Sequence, residues 1–311
     1  MKRVLITGGS GFLGAWIIRR LAARGTDVRV FDMHSNRATV ADIAGPAAQG
    51  LEWEVGDIRD ADAVHRAMHG CDGVIHLAGV LTPDCSADPV RGAEINLMGS
   101  LNVFEAAHAH GIARVVYASS AGVYGPHDAG HPQPATHYGA FKLAVEGAAR
   151  AYWHERQVAS IGFRPFVVYG PGRETGISAG PSLACRAAAR GEPCTIGYTG
   201  ASGLIYVDDV AQAFEQALLT PAQGASVYNL VGQSTTMDEV IAEIRRQVPG
   251  ARLKAEGPPL TIAPGITEDG LDALLPLRQR TGLAQGIAAT LDHHRKQDRR
   301  QRDSRSHGQR P

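Results

Sequence analysis

Residues 4–14 read Val-Leu-Ile-Thr-Gly-Gly-Ser-Gly-Phe-Leu-Gly, an apolar triplet followed by a glycine-rich run. The triplet predicts a short buried strand, and residues 14–24 have the apolar spacing of an amphipathic helix. A strand, a glycine-rich turn and a helix in this order form the phosphate-binding start of a βαβ unit. The stretch therefore predicts a turn that holds a dinucleotide at a helix N-terminus.

The glycines of this turn are assigned separate uses. Gly8 permits the tight turn, Gly11 lets the backbone approach a pyrophosphate without a Cβ, and Gly14 lets the helix pack close to the strand. Phe12 and Leu13 lie in the same turn. All five residues are therefore predicted to contact the cofactor.

Outward from this stretch, short apolar segments alternate with amphipathic ones, which indicates a parallel sheet covered on both faces. The sequence predicts an α/β fold, a Rossmann doubly wound parallel sheet with a smaller C-terminal substrate lobe. Strands are predicted at 4–6, 28–31, 74–77, 115–118 and 159–163, helices at 14–24, 60–68, 95–110 and 138–156, and a strand and helix returning to the main sheet at 204–207 and 209–219.

The domain boundaries follow from composition. Residues 1–165 form the predicted dinucleotide-binding domain, to which 204–231 returns. Proline and glycine are dense after residue 164, so 166–203 and 232–294 are assigned to the substrate lobe. Residues 295–311 carry seven Lys/Arg and two Asp with almost no apolar residue. This basic tail is predicted to be disordered rather than an arm for polyanions.

Composition excludes several classes of protein. The 311 residues contain 31 Lys+Arg and 31 Asp+Glu, so the zero formal charge argues against bulk electrostatic binding of nucleic acid or of an anionic membrane. No apolar run approaches the ~20 residues that span a bilayer. The first apolar run ends at Thr7, so no signal peptide is predicted. Four sparse cysteines favour free thiols in the cytoplasm.

An acid at the end of the second strand predicts the choice of cofactor. The Asp32 carboxylate would accept both adenosine ribose hydroxyls and repel a 2′-phosphate, which favours NAD over NADP. Arg37 is near in sequence and leaves phosphate binding open as an alternative.

Two further strand ends are candidate cofactor contacts. In Gly-Asp-Ile, Asp57 beside Ile58 is placed to bind the adenine amino group or, alternatively, to cap the helix that follows. In His-Leu-Ala-Gly, the backbone of Leu77, Ala78 and Gly79 is predicted to lie flat against the cofactor.

The predicted proton-transfer group is a Tyr-x-x-x-Lys pair. Tyr138 and Lys142 are four residues apart, so they project from one face of a helix. An ammonium near a phenol favours the phenolate, which makes Tyr138 a usable acid and base. Upstream, Ser119 and Ser120 follow a strand, where either hydroxyl could bind the substrate oxygen.

Histidines close to this pair raise the question of a metal. His127, His131 and His137 precede Tyr138 in a stretch rich in Pro and Gly, a composition typical of solvated surface. No metal site is therefore predicted.

Taken in order, these motifs resemble the extended short-chain dehydrogenase/reductase family in its NAD-dependent epimerase/dehydratase branch. The resemblance covers residues 1 to about 217 and rests on TGGSGFLG, Asp32, GDI, HLAG, INLMGS, YASSAGVYG, YGAFK, FRPFVVYGPG and YVDDVA. It implies a Rossmann domain that holds NAD(H) tightly, a substrate lobe, and homodimers that pair helices near 92–110 and 138–156.

The resemblance also assigns roles to individual residues. It implies that Ser120, rather than Ser119, polarises the substrate, because Ser120 stands four residues before Tyr124. It implies that Lys142 also holds the nicotinamide ribose and that Asn96 lines the cofactor site. Phe166, in the FRPF motif, is included among the cofactor contacts.

Two departures from the family pattern bear on the substrate. Val167 stands where nucleotide-sugar epimerases of this branch typically have Asn, and Ser202-Gly203 stand where such enzymes often have Arg-Asp. A small, non-nucleotide substrate is therefore predicted. Other cations could still bind a diphosphate: Arg173, Arg186, Arg190 or Arg278.

Three functional hypotheses follow. The first is an NAD-dependent oxidoreductase for the secondary alcohol or ketone of a small sugar-acid-, polyol- or aldehyde-like substrate. The alternative is a nucleotide-sugar epimerase or dehydratase that reduces and reoxidises NAD within one turnover. The third is a redox-sensing module that binds NAD without turnover. Such a module would be expected to lack a complete Tyr/Lys pair, whereas both residues are present here.

Overall fold

A computed structural model describes residues 1–112, 114–126, 130–221, 223–260, 262 and 265–307, with side chains to residue 300. The chain divides into two compact units. The first comprises Met1–Phe166, Asp208–Val231 and Thr261–Gln279. The second comprises Val167–Val207, Gly232–Leu260 and Arg280–Pro311.

Strands and helices are numbered along the chain. The strands are β1 Arg3–Thr7, β2 Asp27–Asp32, β3 Glu52–Val55, β4 Gly73–His76, β5 Arg114–Ala118, β6 Ala159–Pro165, β7 Val167–Tyr169, β8 Cys194–Ile196, β9 Ala201–Tyr206, β10 Ala225–Leu230, β11 Gln233–Thr236 and β12 Leu253–Ala255. The helices are α1 Phe12–Ala23, α2 Ala38–Ala44, α3 Ala61–Met68, α4 Thr82–Ala87, α5 Pro89–Ala93, α6 Gly99–Ala109, α7 His137–Arg156, α8 Gly180–Arg190, α9 Val207–Leu219, α10 Met237–Gln247, α11 Leu271–Leu274 and α12 Leu283–His307.

A seven-stranded parallel sheet forms the core of the first unit, in the order β10-β6-β5-β4-β1-β2-β3. Val4, Leu5 and Ile6 in β1 are fully buried, as a strand covered on both faces requires. The strand order reverses between β1 and β4, and ligands of such sheets bind outside the carboxyl ends of the strands at this point. The predicted α/β Rossmann fold is confirmed.

The second unit contains two smaller sheets. Strand β9 pairs in parallel with β7 and antiparallel with β11, and β8 pairs in parallel with β12. The prediction that the strand at 204–207 returns to the main sheet is wrong, because β9 pairs only within this three-stranded sheet, and β10 is the strand that joins the main sheet beside β6. An apolar run indicates burial but does not specify its pairing partner.

The segment Thr261–Gln279, assigned to the substrate lobe from the sequence, groups with the first unit. Its contacts there include a hydrogen bond from the Asn229 amide to the Thr267 carbonyl oxygen at 2.8 Å. The Val231 N–H also donates to the Glu268 carboxylate at 2.7 Å. These bonds tie the segment to the end of β10.

The basic tail was predicted to be disordered, but in the structure α12 continues through it to His307. Ile287 and Leu291 bury an apolar face of this helix within the second unit. On the polar side, Asp298 accepts from Arg190 of α8 at 3.0 Å. The apolar face and this ion pair give the basic segment a partner that its composition did not reveal. Among the described residues, no helix is both long and apolar enough to cross a membrane.

Candidate active site

The glycine turn between β1 and α1 brings the backbone close to the end of β4. Gly8 has φ of 70°, and a Cβ there would lie 2.6 Å from the Ala78 nitrogen and 2.9 Å from the Leu77 carbonyl carbon. A Cβ on Gly14 would lie 2.6 Å from the Gly9 oxygen, so the helix packs tightly on the turn. Gly11 is the exposed N-cap residue of α1. This cradle fits the phosphates of a dinucleotide.

Asp32 is tied to the same turn. One of its carboxylate oxygens accepts from the Ser10 N–H at 3.1 Å and from the Ser10 hydroxyl at 2.7 Å. The other oxygen accepts from the His34 N–H at 3.4 Å. A half-buried carboxylate thus stands where β2 ends, beside the cradle, which fits the ribose of NAD. Phe12 and Leu13, in the first turn of α1, are also half-buried.

Asp57 follows β3, the edge strand of the main sheet, and is paired with Arg59, whose Nη2 donates to it at 2.6 Å. This guanidinium lowers the pKa of Asp57. Ile58 is buried, and a Cβ on Gly99 would lie 2.7 Å from its Cγ2. The adenine contact assigned to Asp57 stays a prediction.

Asn96 lies in a π-helical turn, Glu94–Met98, of the kind often found at functional sites. Its side chain accepts from the Val80 N–H and donates to the Val80 carbonyl oxygen, both at 2.9 Å. A Cβ on Gly79 would lie 2.5 Å from Asn96 Oδ1 and 3.8 Å from Lys142 Nζ. The structure therefore brings Gly79, Asn96 and Lys142 together.

Tyr138 and Lys142 lie in the first turns of α7, which Thr136 caps by accepting from the Gly139 N–H at 3.1 Å. Lys142 is 5% exposed, and its Nζ donates to the Ala118 carbonyl oxygen at 2.8 Å. That nitrogen lies 5.7 Å from the centre of the Tyr138 ring. Burial lowers the Lys142 pKa to about 8.

The two serines after β5 face different partners. Ser120 Oγ accepts from the Gly122 N–H at 3.0 Å, so its own proton is available for another oxygen. A Cβ on Gly122 would lie 3.3 Å from Ser120 Oγ and 3.6 Å from Tyr138 Cδ1, which puts Gly122 between these two side chains. Ser119 is buried and donates to Glu146 at 2.5 Å. This geometry favours Ser120 as the hydroxyl that faces Tyr138.

Sequence reasoning did not identify Glu146 or Arg164 as part of this site. Both are charged, and Arg164 Nη2 donates to Glu146 Oε2 at 2.5 Å. The available signal was the i,i+4 spacing of Glu146 after Lys142 on a helix face that is otherwise buried. Phe166 packs with Val123 and Tyr124 in a small apolar cluster. Its predicted cofactor contact stays a prediction.

The described residues contain no group of three His, Cys, Asp or Glu side chains that could hold a metal ion. His131 and His137 are exposed. The third histidine of the sequence cluster, His127, lies outside the described residues.

Comparison with known proteins finds relatives that align with most of the chain and others that align with part of it. UDP-glucose 4-epimerase of Mycolicibacterium smegmatis is 31% identical over 312 aligned residues, covering 94% of this chain and 98% of that protein. 2-alkyl-3-oxoalkanoate reductase of Stenotrophomonas maltophilia is 30% identical, covering 93% and 89%. The chain spans 51% of 3 beta-hydroxysteroid dehydrogenase type 7 of Mus musculus, at 32% identity over 190 residues.

A solved structure and a family model agree with these relatives. The complex of Thermus thermophilus UDP-glucose 4-epimerase with NAD is 30% identical, with a TM-score of 0.81 and coverage of 94% of this chain and 99% of that one. The family model that matches residues 4–231 is described as the NAD dependent epimerase/dehydratase family.

Proposed function

The chain belongs to the NAD-dependent epimerase/dehydratase family, and from that premise we propose that it is an oxidoreductase for a small secondary alcohol or ketone. The substrate class is sugar-acid-, polyol- or aldehyde-like. Membership makes the chain an NAD-dependent enzyme and confirms NAD as the predicted cofactor. When bound, NAD would accept the hydride in oxidation, and its reduced form, NADH, would donate it in the reverse direction.

Three residues of the chain have separate roles in the proton transfer. The Ser120 hydroxyl donates a hydrogen bond to the substrate oxygen and orients it toward Tyr138. The Tyr138 phenolate takes the proton of the substrate hydroxyl and returns it in the reverse direction. The Lys142 ammonium, held by the Ala118 carbonyl oxygen, favours the phenolate form of Tyr138 and binds the nicotinamide ribose.

The observation that carries the choice of a small substrate is the pairing of cations that a diphosphate would need. Arg186 is paired with Glu174, and Arg190 with Asp298. A buried diphosphate requires charge-assisted hydrogen bonds to offset its desolvation. Each of these carboxylates would repel the diphosphate or would have to be displaced.

Arg278 is paired in the same way. It donates to Glu268 at 2.6 Å and to Asp272 at 2.7 Å. The fourth candidate, Arg173, donates to the Ser178 hydroxyl at 3.3 Å. Val167, at the position where an amide is expected in a sugar-nucleotide enzyme, is 1% exposed. The ion pairs of Arg186, Arg190 and Arg278, together with the apolar Val167, support a substrate that brings no diphosphate.

A nucleotide-sugar epimerase is the second candidate function. The match to M. smegmatis UDP-glucose 4-epimerase over 94% of this chain favours it. The two candidates differ in the cofactor balance, because an oxidoreductase releases NADH and an epimerase returns the cofactor to NAD within one turnover.

The test combines binding with turnover. NAD is expected to raise the melting temperature clearly, whereas UDP and dTDP near a millimolar are expected to leave it unchanged. Uronic acids, polyols and hydroxy acids supplied with NAD should give NADH absorbance, which Tyr138→Phe should abolish. Conversion of a UDP-sugar without NADH accumulation would replace this proposal with the epimerase.

We further propose a homodimer in the cytoplasm. Two apolar side chains near the start of the 92–110 segment support a partner surface, since Val90 is 71% and Met98 51% exposed. The four cysteines are free thiols, as expected for a reducing compartment. Light scattering after size exclusion tests the dimer, and a monomeric mass would contradict it.

A further inference from the structure

A buried ion pair lies behind the residues assigned to proton transfer. Arg164 donates to Glu146 in bidentate fashion, from Nη2 to Oε2 at 2.5 Å and from Nε to Oε1 at 2.8 Å. The Glu146 side chain is 0% exposed and the Arg164 side chain is 14% exposed. Burying both charges costs desolvation free energy that an apolar pair would avoid. A role other than stability therefore has to be sought for this pair.

The pair connects four elements of the first unit. Ser119, directly after β5, donates to Glu146 Oε1 at 2.5 Å. Arg164, in β6, donates from Nη1 to the Tyr124 hydroxyl at 2.6 Å. That hydroxyl donates to Asn229 Oδ1 in β10 at 3.2 Å. Glu146 itself lies in α7, so one carboxylate links the helix to the sheet.

Two of the connected segments, α7 and the turn after β5, carry the proposed chemistry. Glu146 follows Lys142 by one helical turn, and Ser119 immediately precedes Ser120. We propose that Glu146 is a positioning residue: held by Arg164, it fixes the turn bearing Ser120 and keeps a carboxylate one helical turn from Lys142 on the same buried face of α7. The proposal rests on the function proposed above for Ser120 and Lys142.

The ionisable groups around Lys142 bear on the effect of Glu146 on the protonation of Lys142. The groups that face it are Tyr138 and Glu146 on its own helix, His76 of β4 and Cys85 of α4. Burial lowers the pKa of His76 to about 3 and raises the pKa of the Cys85 thiol, so both are neutral near pH 7. Cys85, once ionised, and Glu146 both favour the protonated amine, and Glu146 is the carboxylate among these neighbours.

Titration of Lys142 tests this role without a substrate. The sequence has only four lysines, Lys2, Lys142, Lys254 and Lys296, so ¹³C-labelled lysine ε-methylene signals can be followed one by one, with Lys142→Arg for assignment. Glu146→Gln is expected to lower the Lys142 pKa by about one unit, a tenfold change in proton affinity. The other three lysines serve as internal references.

Glu215→Gln is the matched control. Glu215 is also a buried carboxylate with two arginine partners, Arg20 and Arg24, and it lies on α9 of the same unit. Its substitution should lower the melting temperature comparably and leave the Lys142 pKa unchanged. An unchanged Lys142 pKa in Glu146→Gln, or an equal decrease in Glu215→Gln, would overturn the proposal.

Hydrogen exchange tests the fixing of the serine turn. Within this turn, the amides of Gly122, Val123 and Tyr124 donate to Ser120 Oγ, Ser120 O and Ala121 O, at 3.0, 3.1 and 3.0 Å. Glu146→Gln and Ser119→Ala should each speed their exchange by about tenfold or more, because the turn loses its anchor. Ser119→Ala retains the carboxylate and should keep the Lys142 pKa within about 0.3 unit.

If Glu146→Gln does not fold, the double variant Glu146→Gln/Arg164→Met removes the unpaired buried cation as well. It should lower the Lys142 pKa in the same direction by a smaller amount, and unchanged titration would again contradict the proposal. Neither measurement uses a substrate. Both tests can therefore succeed even if the protein oxidises none of the proposed substrates. Failure of the proposed function can thus be distinguished from failure of this proposal.

Discussion

The guanidinium carbon of Arg37 lies 4.8 Å from the centre of the Trp53 ring. Trp53 is on β3 and Arg37 follows β2, so a cation–π attraction holds the cation against the outer strand of the sheet. Asp32, in contrast, is hydrogen-bonded to Ser10 of the glycine turn. The arrangement places a carboxylate, rather than the nearby cation, beside the cradle for the dinucleotide.

We therefore expect NAD to bind more tightly than NADP by at least about tenfold, or 1.4 kcal/mol. Isothermal titration of the cofactor-free protein with each dinucleotide measures this difference. Asp32→Asn should narrow it, because the substitution removes the repulsion of a 2′-phosphate. Arg37→Ala is the control and should leave NAD affinity within about twofold. Equal affinity of the wild type for both cofactors would mean that Arg37 leaves Trp53 to bind the phosphate.

Tyr138→Phe is expected to abolish NADH formation and to leave NAD affinity nearly intact, since the phenol supplies the proton but contributes little to holding the dinucleotide. The measurements are kcat with the small substrate found in the screen and NAD binding by titration. Tyr152→Phe is the matched control, because Tyr152 lies on the same helix and bonds to Glu105 at 2.8 Å. A Tyr138→Phe variant with more than about a tenth of wild-type kcat would refute the assignment.

The fold and part of the site could be predicted because their signals are local in the sequence. The glycine spacing at Gly8 and Gly14 and the i,i+4 pair of Tyr138 and Lys142 each lie within one or two adjacent elements. Such patterns are fixed by backbone geometry over a few residues. They require no knowledge of which distant segments meet.

The missed features depend on distant segments. Glu146 lies in α7, Ser119 directly after β5 and Arg164 in β6, and no spacing rule links them before the sheet order is known. The strand at 204–207 was misassigned for the same reason, because its apolar pattern fits either sheet. The tail after residue 295 is helical because Leu291 and Ile287 bury the helix earlier, while the local composition is only basic and polar.

The glycine turn gives a prediction that separates two costs of a side chain. Gly8→Ala should destabilise the protein by about 1 kcal/mol for positive φ and by more for the clash with the Ala78 backbone. Gly50→Ala is the matched control, because Gly50 has φ of 79° but its Cβ would meet nothing within 4 Å. The free energy of unfolding in urea measures both. Equal losses would show that the close approach at Gly8 has no energetic consequence.

A chain of hydrogen bonds at His76 predicts acid sensitivity. Ser100 donates its hydroxyl proton to the Asn96 carbonyl oxygen at 2.6 Å, so its oxygen accepts from His76 Nε2–H at 2.9 Å. His76 Nδ1 then accepts from the Thr7 hydroxyl at 2.6 Å. Protonation of Nδ1 would end its role as the acceptor for the Thr7 hydroxyl and place a charge in the core near Lys142. Burial and Lys142 lower the pKa of His76 to about 3.

The sign of the pH dependence follows from that lowered pKa. The contribution of His76 is fully present above its unfolded pKa of 6.5, because both states are then neutral. Below pH 6.5 the unfolded chain binds a proton that the folded chain does not, so stability falls by about 1.36 kcal/mol per pH unit. His294, whose pKa is lowered to about 4, adds a second such proton.

Urea unfolding between pH 6 and 4.5 should therefore show the uptake of about two histidine protons. His76→Gln should lose about one of them while lowering stability at pH 8, whereas substitution of the exposed His108 by Gln should leave the stability at pH 8 unchanged. Unchanged proton uptake in His76→Gln would mean that His76 is already charged in the folded core and that the hydrogen-bond chain is drawn in the wrong direction.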